Sequence, residues 1–132
     1  MKARHIRFGD FIKKKRQEHP DELTLKEVSK MLEISLSFLS DVENNRRKPF
    51  DRKKIILFAE KLGLNDEEKA TMFDLAARDR GELPYDIEDI MMYGEIGDMA
   101  RMALRKSNEG KISEEDWKQF IRKMEDKDDG VE

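Results

Sequence analysis

Residues 24–43 constrain the fold most, because they contain two short amphipathic helical patterns separated by a turn of about three residues. The stretch reads TLKEVSKMLEISLSFLSDVE. A small residue, Ser29, stands where the two helices would cross most closely. The pattern predicts a helix-turn-helix, in which two short helices pack across each other around a tight bend. The apolar residues that carry the pattern are Leu25, Val28, Met31, Leu32, Ile34, Leu39 and Val42.

Helix signals mark the ends of these elements and of the segment before them. Pro20 ends a first helix, because proline cannot continue the backbone hydrogen bonding. Thr24 followed by Glu27 forms a capping-box pattern, and Ser35 can cap the next helix. The predicted buried face of the first helix consists of Ile6, Phe8, Phe11 and Ile12.

Helical periodicity also continues after this region. Residues 52–62 predict a fourth helix with Gly63 as its C-terminal cap. A fifth helix is predicted to begin at an Asp66 cap and to end at Gly81. Two further helical patterns follow, the first interrupted by two glycines and the second capped by Ser113. Since few segments alternate like a strand, we expect an all-α protein.

Charge divides the chain unequally. Residues 1–54 contain 15 Lys and Arg against 9 Asp and Glu, whereas residues 55–132 contain 12 against 21. A basic half favours a polyanionic partner and an acidic half a different role, although an ordinary solvated surface is the alternative. We predict a DNA-binding domain over residues 1–81, a helical extension over 82–125 and a disordered acidic tail over 126–132.

Several classes of function find no support. The chain has no cysteine, and His5 and His19 stand alone, so no metal site is expected. It has no glycine-rich phosphate loop and no nucleophile elbow, so we expect neither an enzyme nor a cofactor. No apolar run approaches the length of about 20 residues that a membrane span needs, and the N-terminus lacks a secretory apolar region. A cytoplasmic protein is the expectation.

Four segments resemble the Cro/repressor-type (XRE family) helix-turn-helix regulators: FGDFIKKKR, LTLKEVSKMLEIS, SFLSDVE and NNRRKP. The resemblance covers about residues 7–64 and implies a five-helix lambda-repressor-like DNA-binding domain. It also implies a structural ion pair between Arg16 and Glu43. Glu33 departs from the glycine usual in the turn. A left-handed conformation costs a non-glycine residue roughly 1–2 kcal/mol, so the turn is expected to be either strained or tighter than usual. Asn45 departs more mildly, because asparagine tolerates that conformation.

The second helix of the pair is expected to present a DNA-reading surface. The resemblance makes Leu36, Ser37 and Asp41 the usual base readers. Leu36 can touch thymine methyl groups, Ser37 can bond several base edges, and Asp41 can accept from a cytosine amino group. An ordinary exposed leucine is the alternative for Leu36. The helix face left outward by burial of Leu39 and Val42 consists of Leu36, Ser37, Ser40 and Asp41.

Contacts to the DNA backbone are expected on either side of that surface. The run NNRRKP supplies cations along the sugar-phosphate edge, where contacts set affinity and register but carry little sequence information. Thr24 can bond a phosphate at a helix N-terminus, or act only as a cap. The complete predicted DNA-binding set is Thr24, Ser35, Leu36, Ser37, Ser40, Asp41, Asn44, Arg46, Arg47 and Lys48.

Residues 82–125 are rich in methionine and isoleucine and are expected to form a dimerisation or docking surface, with a small packed subdomain as the alternative. We therefore expect a dimeric repressor that binds a pseudo-palindromic operator in double-stranded DNA. The layout is also similar to repressors and antitoxins of mobile elements, some encoded beside a toxin or a zinc-dependent metallopeptidase. The alternative is thus an antitoxin or protein-interaction module for which DNA binding is secondary. An adaptor without DNA binding is a third possibility, against which NNRRKP argues.

Overall fold

The computed structural model describes residues 6–129, which form eight α-helices and no strand. This confirms the all-α class; His5 lies outside the described residues. The helices are α1 (Phe8–Glu18), α2 (Leu25–Leu32), α3 (Leu36–Glu43), α4 (Arg52–Leu62), α5 (Asp66–Arg80), α6 (Tyr85–Met92), α7 (Gly94–Asn108) and α8 (Glu114–Asp129).

The chain divides into two units, Met1–Glu88 and Asp89–Glu132. The division falls inside α6 and therefore later than the boundary predicted after residue 81. The predicted disordered tail needs correction, because α8 runs to Asp129 and residues 126–129 are helical. Residues 130–132 lie outside the described part of the chain. None of the helices within residues 6–129 combines the length and the apolar character that a membrane span requires.

One hydrophobic core, formed mainly by α1–α5, holds the first unit together. Phe8 of α1 meets Phe50 edge to face, with ring centroids 5.5 Å apart. The prediction for Ile6 is wrong: its side chain is exposed, because it precedes α1 and helical periodicity does not extend to it. The most deeply buried side chains are Phe8, Ile12, Val28, Leu32, Leu39, Val42, Phe50, Ile55, Phe58 and Met72.

Local sequence signals explain where these helices begin and end. The predicted capping box forms, with Thr24 Oγ1 accepting from the Glu27 amide at 3.1 Å and Glu27 Oε1 accepting from the Thr24 amide at 2.8 Å. Gly63 ends α4 in the left-handed conformation, as predicted. The cap of α5 is Asn65 and not Asp66, because Asn65 stands three residues before Glu68 and completes a second capping box.

The second unit has little interior of its own. Gly97 is the one buried residue among residues 89–128. At that position a side chain would meet the Ile90 and Met91 carbonyl oxygens at 2.7 and 2.8 Å, so glycine allows α7 to approach the end of α6 closely. Trp117 Nε1 donates to Ser107 Oγ at 2.8 Å and ties α8 to α7. These contacts connect α6, α7 and α8, although Gly97 alone is buried among residues 89–128.

Candidate nucleic-acid interface

The turn between α2 and α3 places Glu33 in the left-handed conformation, which is the strained one of the two possibilities that the sequence left open. Glu33 has φ 57° and ψ 46°, and the following Ile34 amide donates to the Ser29 carbonyl at 3.0 Å. Lys54 reaches from α4 and donates to the Leu32 carbonyl at 2.5 Å, which satisfies an acceptor that the helix end leaves free. The buried Ser29 hydroxyl donates to the Lys26 carbonyl at 2.8 Å, so the small residue carries no unpaired polar atom into the interior.

A buried ion pair fixes α3 against α1. Arg16 donates through Nε to Glu43 Oε2 at 2.7 Å and through Nη2 to Glu43 Oε1 at 3.0 Å. Its Nη1 donates to the Leu23 carbonyl at 3.1 Å, which links α1 to the segment before α2. The hydrogen bond that Arg16 donates to Glu43 raises the pKa of the Arg16 guanidinium. The pair thus joins α1 to α3, and Arg16 also joins α1 to the segment before α2.

Helix α3 has one buried and one accessible face. Leu39 and Val42 are buried, whereas the Leu36 residue is 50% exposed and Ser37 is exposed. Ser40 and Asp41 are half-buried, so the accessible face is less open at its C-terminal end than the sequence predicts. The predicted Ser35 cap is confirmed, because its Oγ accepts from the Phe38 amide at 3.0 Å.

The segment after α3 is anchored at both ends. Asn45 adopts φ 60°, its Oδ1 accepts from the Gly9 amide at 3.0 Å, and its Nδ2 donates to Asp10 Oδ1 at 3.1 Å. At the other end Arg80 Nη2 donates to the Phe50 carbonyl at 2.7 Å. These anchors hold the intervening chain close to the first unit while leaving its cations exposed.

Arg46, Arg47 and Lys48, which we call the cationic loop, are all exposed. Two of them pair with Asp41, a contact that the sequence does not reveal. Arg46 Nε lies 3.2 Å from Asp41 Oδ1, and Arg47 Nε lies 3.7 Å from Asp41 Oδ2. The Arg47 guanidinium also lies over the Phe38 ring, 5.0 Å from its centroid. Asp41, a predicted base reader, is therefore paired with Arg46 and Arg47, two of the predicted phosphate contacts.

The remaining predicted residues serve as helix caps. Thr24 is exposed at the start of α2, and its backbone and side-chain hydrogen bonds lower the pKa of the Glu27 carboxyl. Asn44 is the C-terminal cap of α3, and its Nδ2 donates to the Ser40 carbonyl at 2.8 Å. A DNA contact by Thr24 or Asn44 would add to these local bonds or replace them.

Arg7, a cation near the loop, was not among the predicted DNA-binding residues. Arg7 lines an open cleft of about 280 Å³ together with the cationic loop. Arg7 Nε lies 3.6 Å from Asp79 Oδ2, and Asp79 also accepts from the Phe8 amide at 3.2 Å. Arg7 and Asp79 are far apart in the chain, so no local sequence signal could have placed Arg7 beside the cationic loop.

No known family model matches the chain, and comparison with curated proteins and with solved structures gives no significant match. Within residues 6–129, no group of three or more histidine, cysteine, aspartate or glutamate side chains is arranged to hold a metal ion. A functional assignment therefore depends on the geometry of α3 and the cationic loop.

Proposed function

We propose that the first unit is a sequence-specific DNA-binding domain of the lambda-repressor-like helix-turn-helix type. One observation carries the proposal: α3 exposes short side chains and is followed directly by an anchored loop of three exposed cations. A helix with short side chains on its exposed face can enter the major groove, and the cations of the loop can then contact the phosphates beside that groove.

In this arrangement α2 lies across the DNA backbone and α3 enters the groove. Leu36 and Ser37, exposed at the start of α3, contact base edges. The buried pair of Arg16 and Glu43 sets the orientation of α3, which determines the bases it reaches. The excess of cations in residues 1–54 favours approach to a polyanion.

The test is selection from a labelled random-sequence duplex library, followed by fluorescence anisotropy at about 50 mM and about 200 mM salt. We expect one enriched sequence and affinity that falls steeply with salt. Arg46→Ala should flatten the log–log salt slope on the enriched sequence by about 0.9, since it removes one phosphate contact there. Lys123→Ala is the matched control, because it removes the same charge from α8 in the second unit.

Base reading has its own test within the same selection. Ser37→Ala combined with Asp41→Ala should change the enriched sequence while leaving a strong salt dependence. Identical enriched sequences would contradict direct readout by α3. A library that shows neither enrichment nor retention would refute the DNA-binding function itself.

We further propose that the second unit mediates assembly, most simply as the dimerisation surface of a repressor. Trp117, Phe120, Ile121 and Met124 recur at the spacing of one helix face, and Phe120 and Ile121 are exposed. Such a face needs an apolar partner, and a two-fold dimer suits a pseudo-palindromic operator. The second candidate is an antitoxin or other protein-interaction module, in which the same face holds a toxin or a metallopeptidase.

Light scattering on the purified protein separates these candidates. A homodimer that Ile121→Gln converts to monomer, with Gln119→Ala as the control on another face of α8, supports the repressor. A monomer that co-purifies with one defined polypeptide in fixed ratio favours the interaction module. A monomer without partner, unaffected by Ile121→Gln, would refute both assembly roles.

A further inference from the structure

The contact between Asp41 and the cationic loop suggests a role beyond base reading. Two arginines converge on one carboxylate, with Nε–O distances of 3.2 Å for Arg46 and 3.7 Å for Arg47. The Asp41 side chain is 37% exposed and the Arg46 side chain 64% exposed, so solvent and a ligand can both reach the contact. An ion pair this open is weak and exchangeable.

The loop is held close to Asp41 without help from the Asp41 carboxylate. The Arg46 amide donates to the Asp41 carbonyl at 2.8 Å, and the Asn45 anchors keep the loop turned back towards α1. Arg47 is positioned in addition by the Phe38 ring. Removing the Asp41 charge therefore leaves the loop backbone in place and frees both guanidinium groups to bind another anion.

We propose that Asp41 determines specificity by restraining Arg46 and Arg47 until a correct base releases them. This inference rests on the proposed DNA-binding function. Facing an arbitrary sequence, Asp41 keeps its arginine partners, and their charge is withheld from the phosphates. At a site that offers a base-edge donor, such as a cytosine amino group, Asp41 accepts from the base and the two guanidinium groups bind phosphate.

The physical reason lies in the origin of non-specific affinity. Binding to arbitrary duplex DNA is driven by release of counterions as cations neutralise phosphates. Two cations held by a carboxylate contribute less to the binding free energy that comes from counterion release. Asp41 thus weakens binding to arbitrary DNA more than binding to a site that satisfies it, and the ratio of the two affinities rises.

The experiment compares Asp41→Asn with two matched variants. Asp41→Asn removes the charge and keeps the shape, Asp41→Glu keeps the charge, and Glu67→Gln removes one charge at an exposed position of α5. Each protein is eluted from heparin with a salt gradient and then titrated with a random-sequence duplex at several salt concentrations. Thermal unfolding of each variant checks that the fold is kept.

We expect Asp41→Asn alone to elute at higher salt and to bind random duplex with a log–log slope steeper by about 0.9 for each arginine released. Asp41→Glu and Glu67→Gln should behave like the wild type. In an Arg46→Ala, Arg47→Ala background the Asp41→Asn change should have no effect, because the cations it would release are absent.

The outcomes separate the two proposals. Wild-type protein that binds no duplex refutes the DNA-binding function and this inference with it. Wild-type protein that binds duplex, with Asp41→Asn no tighter on random sequence than Glu67→Gln, refutes the inference and leaves the function standing. Weaker binding by Asp41→Asn also refutes it, because the carboxylate would then be orienting the arginines for phosphate rather than restraining them.

Discussion

Glu43→Gln tests whether the buried ion pair holds α3 in place. The Glu43 side chain is 2% exposed and accepts two hydrogen bonds from Arg16, whose side chain is 11% exposed. Glutamine keeps the shape but removes the charge and presents an amide N–H₂ to one guanidinium N–H. Breaking a buried pair from one side costs about 3–5 kcal/mol, because the remaining charge is left uncompensated.

That loss is large against the roughly 5–15 kcal/mol that stabilises a typical domain. The assay is hydrogen exchange of the α1 and α3 amides followed by mass spectrometry, in which the slowest amides report the free energy of unfolding. Tryptophan fluorescence is unsuitable, because the one tryptophan of the chain, Trp117, lies in the second unit. Glu18→Gln is the control: its ion pair with Lys14 is exposed and long, at 3.9 Å, and should contribute at most about 1 kcal/mol.

A double variant sharpens this test. Arg16→Met with Glu43→Leu removes both charges and should be more stable than Glu43→Gln, since no buried charge is left without a partner. It should remain below the wild type, because the Leu23 carbonyl loses its donor, a loss of about 1–3 kcal/mol. A loss below about 1 kcal/mol for Glu43→Gln, or additive losses in the double variant, would refute the reasoning.

Three further changes probe the same unit. Gly9→Ala should lower the free energy of unfolding by about 1–3 kcal/mol or more, because the new methyl would collide with the Val42 carbonyl. Urea denaturation followed by circular dichroism measures this change. An unchanged midpoint would contradict the close approach of Gly9 to the Val42 carbonyl. Glu33→Gly should raise the free energy of unfolding by about 0.5–1 kcal/mol, because relief of the left-handed strain outweighs the extra conformational entropy of glycine in the unfolded chain. Lower stability in the same denaturation series would show that the turn is unstrained. The hydrogen bond that Lys15 donates to Glu68, at 2.7 Å, lowers the pKa of the Glu68 carboxyl. The stabilisation from this contact is therefore fully present above the ordinary glutamate pKa of about 4.3. It is lost as the pH falls through the lower pKa of the folded state. Glu68→Gln should therefore flatten the acid limb of a stability–pH curve, and parallel curves for the two proteins would exclude this contribution.

Local chemistry made much of the first unit predictable. Helix α4 could be located from the apolar spacing of residues 52–62 and from Gly63, which readily adopts the left-handed conformation that ends a helix. The capping box of Thr24 and Glu27 could likewise be located, since it depends on residues three apart. Failures occurred where the periodicity was extended past a helix end, as at Ile6, or where two neighbouring residues could both cap, as at Asn65 and Asp66.

The sequence by itself determined the helical class, the positions of α2 and α3, and the pairing of Arg16 with Glu43 that the family resemblance implied, because these depend on short-range spacing or on a recognisable motif. Only the tertiary structure decided that Asp41 faces Arg46 and Arg47, and that Arg7 lies beside the cationic loop. The physical reason is that ion pairs between exposed side chains depend on how a loop folds back. Here the loop is anchored by the bond of Asn45 to Gly9 of α1 and by the bond of Arg80 to Phe50. These contacts join residues at least 30 positions apart, which no local periodicity encodes.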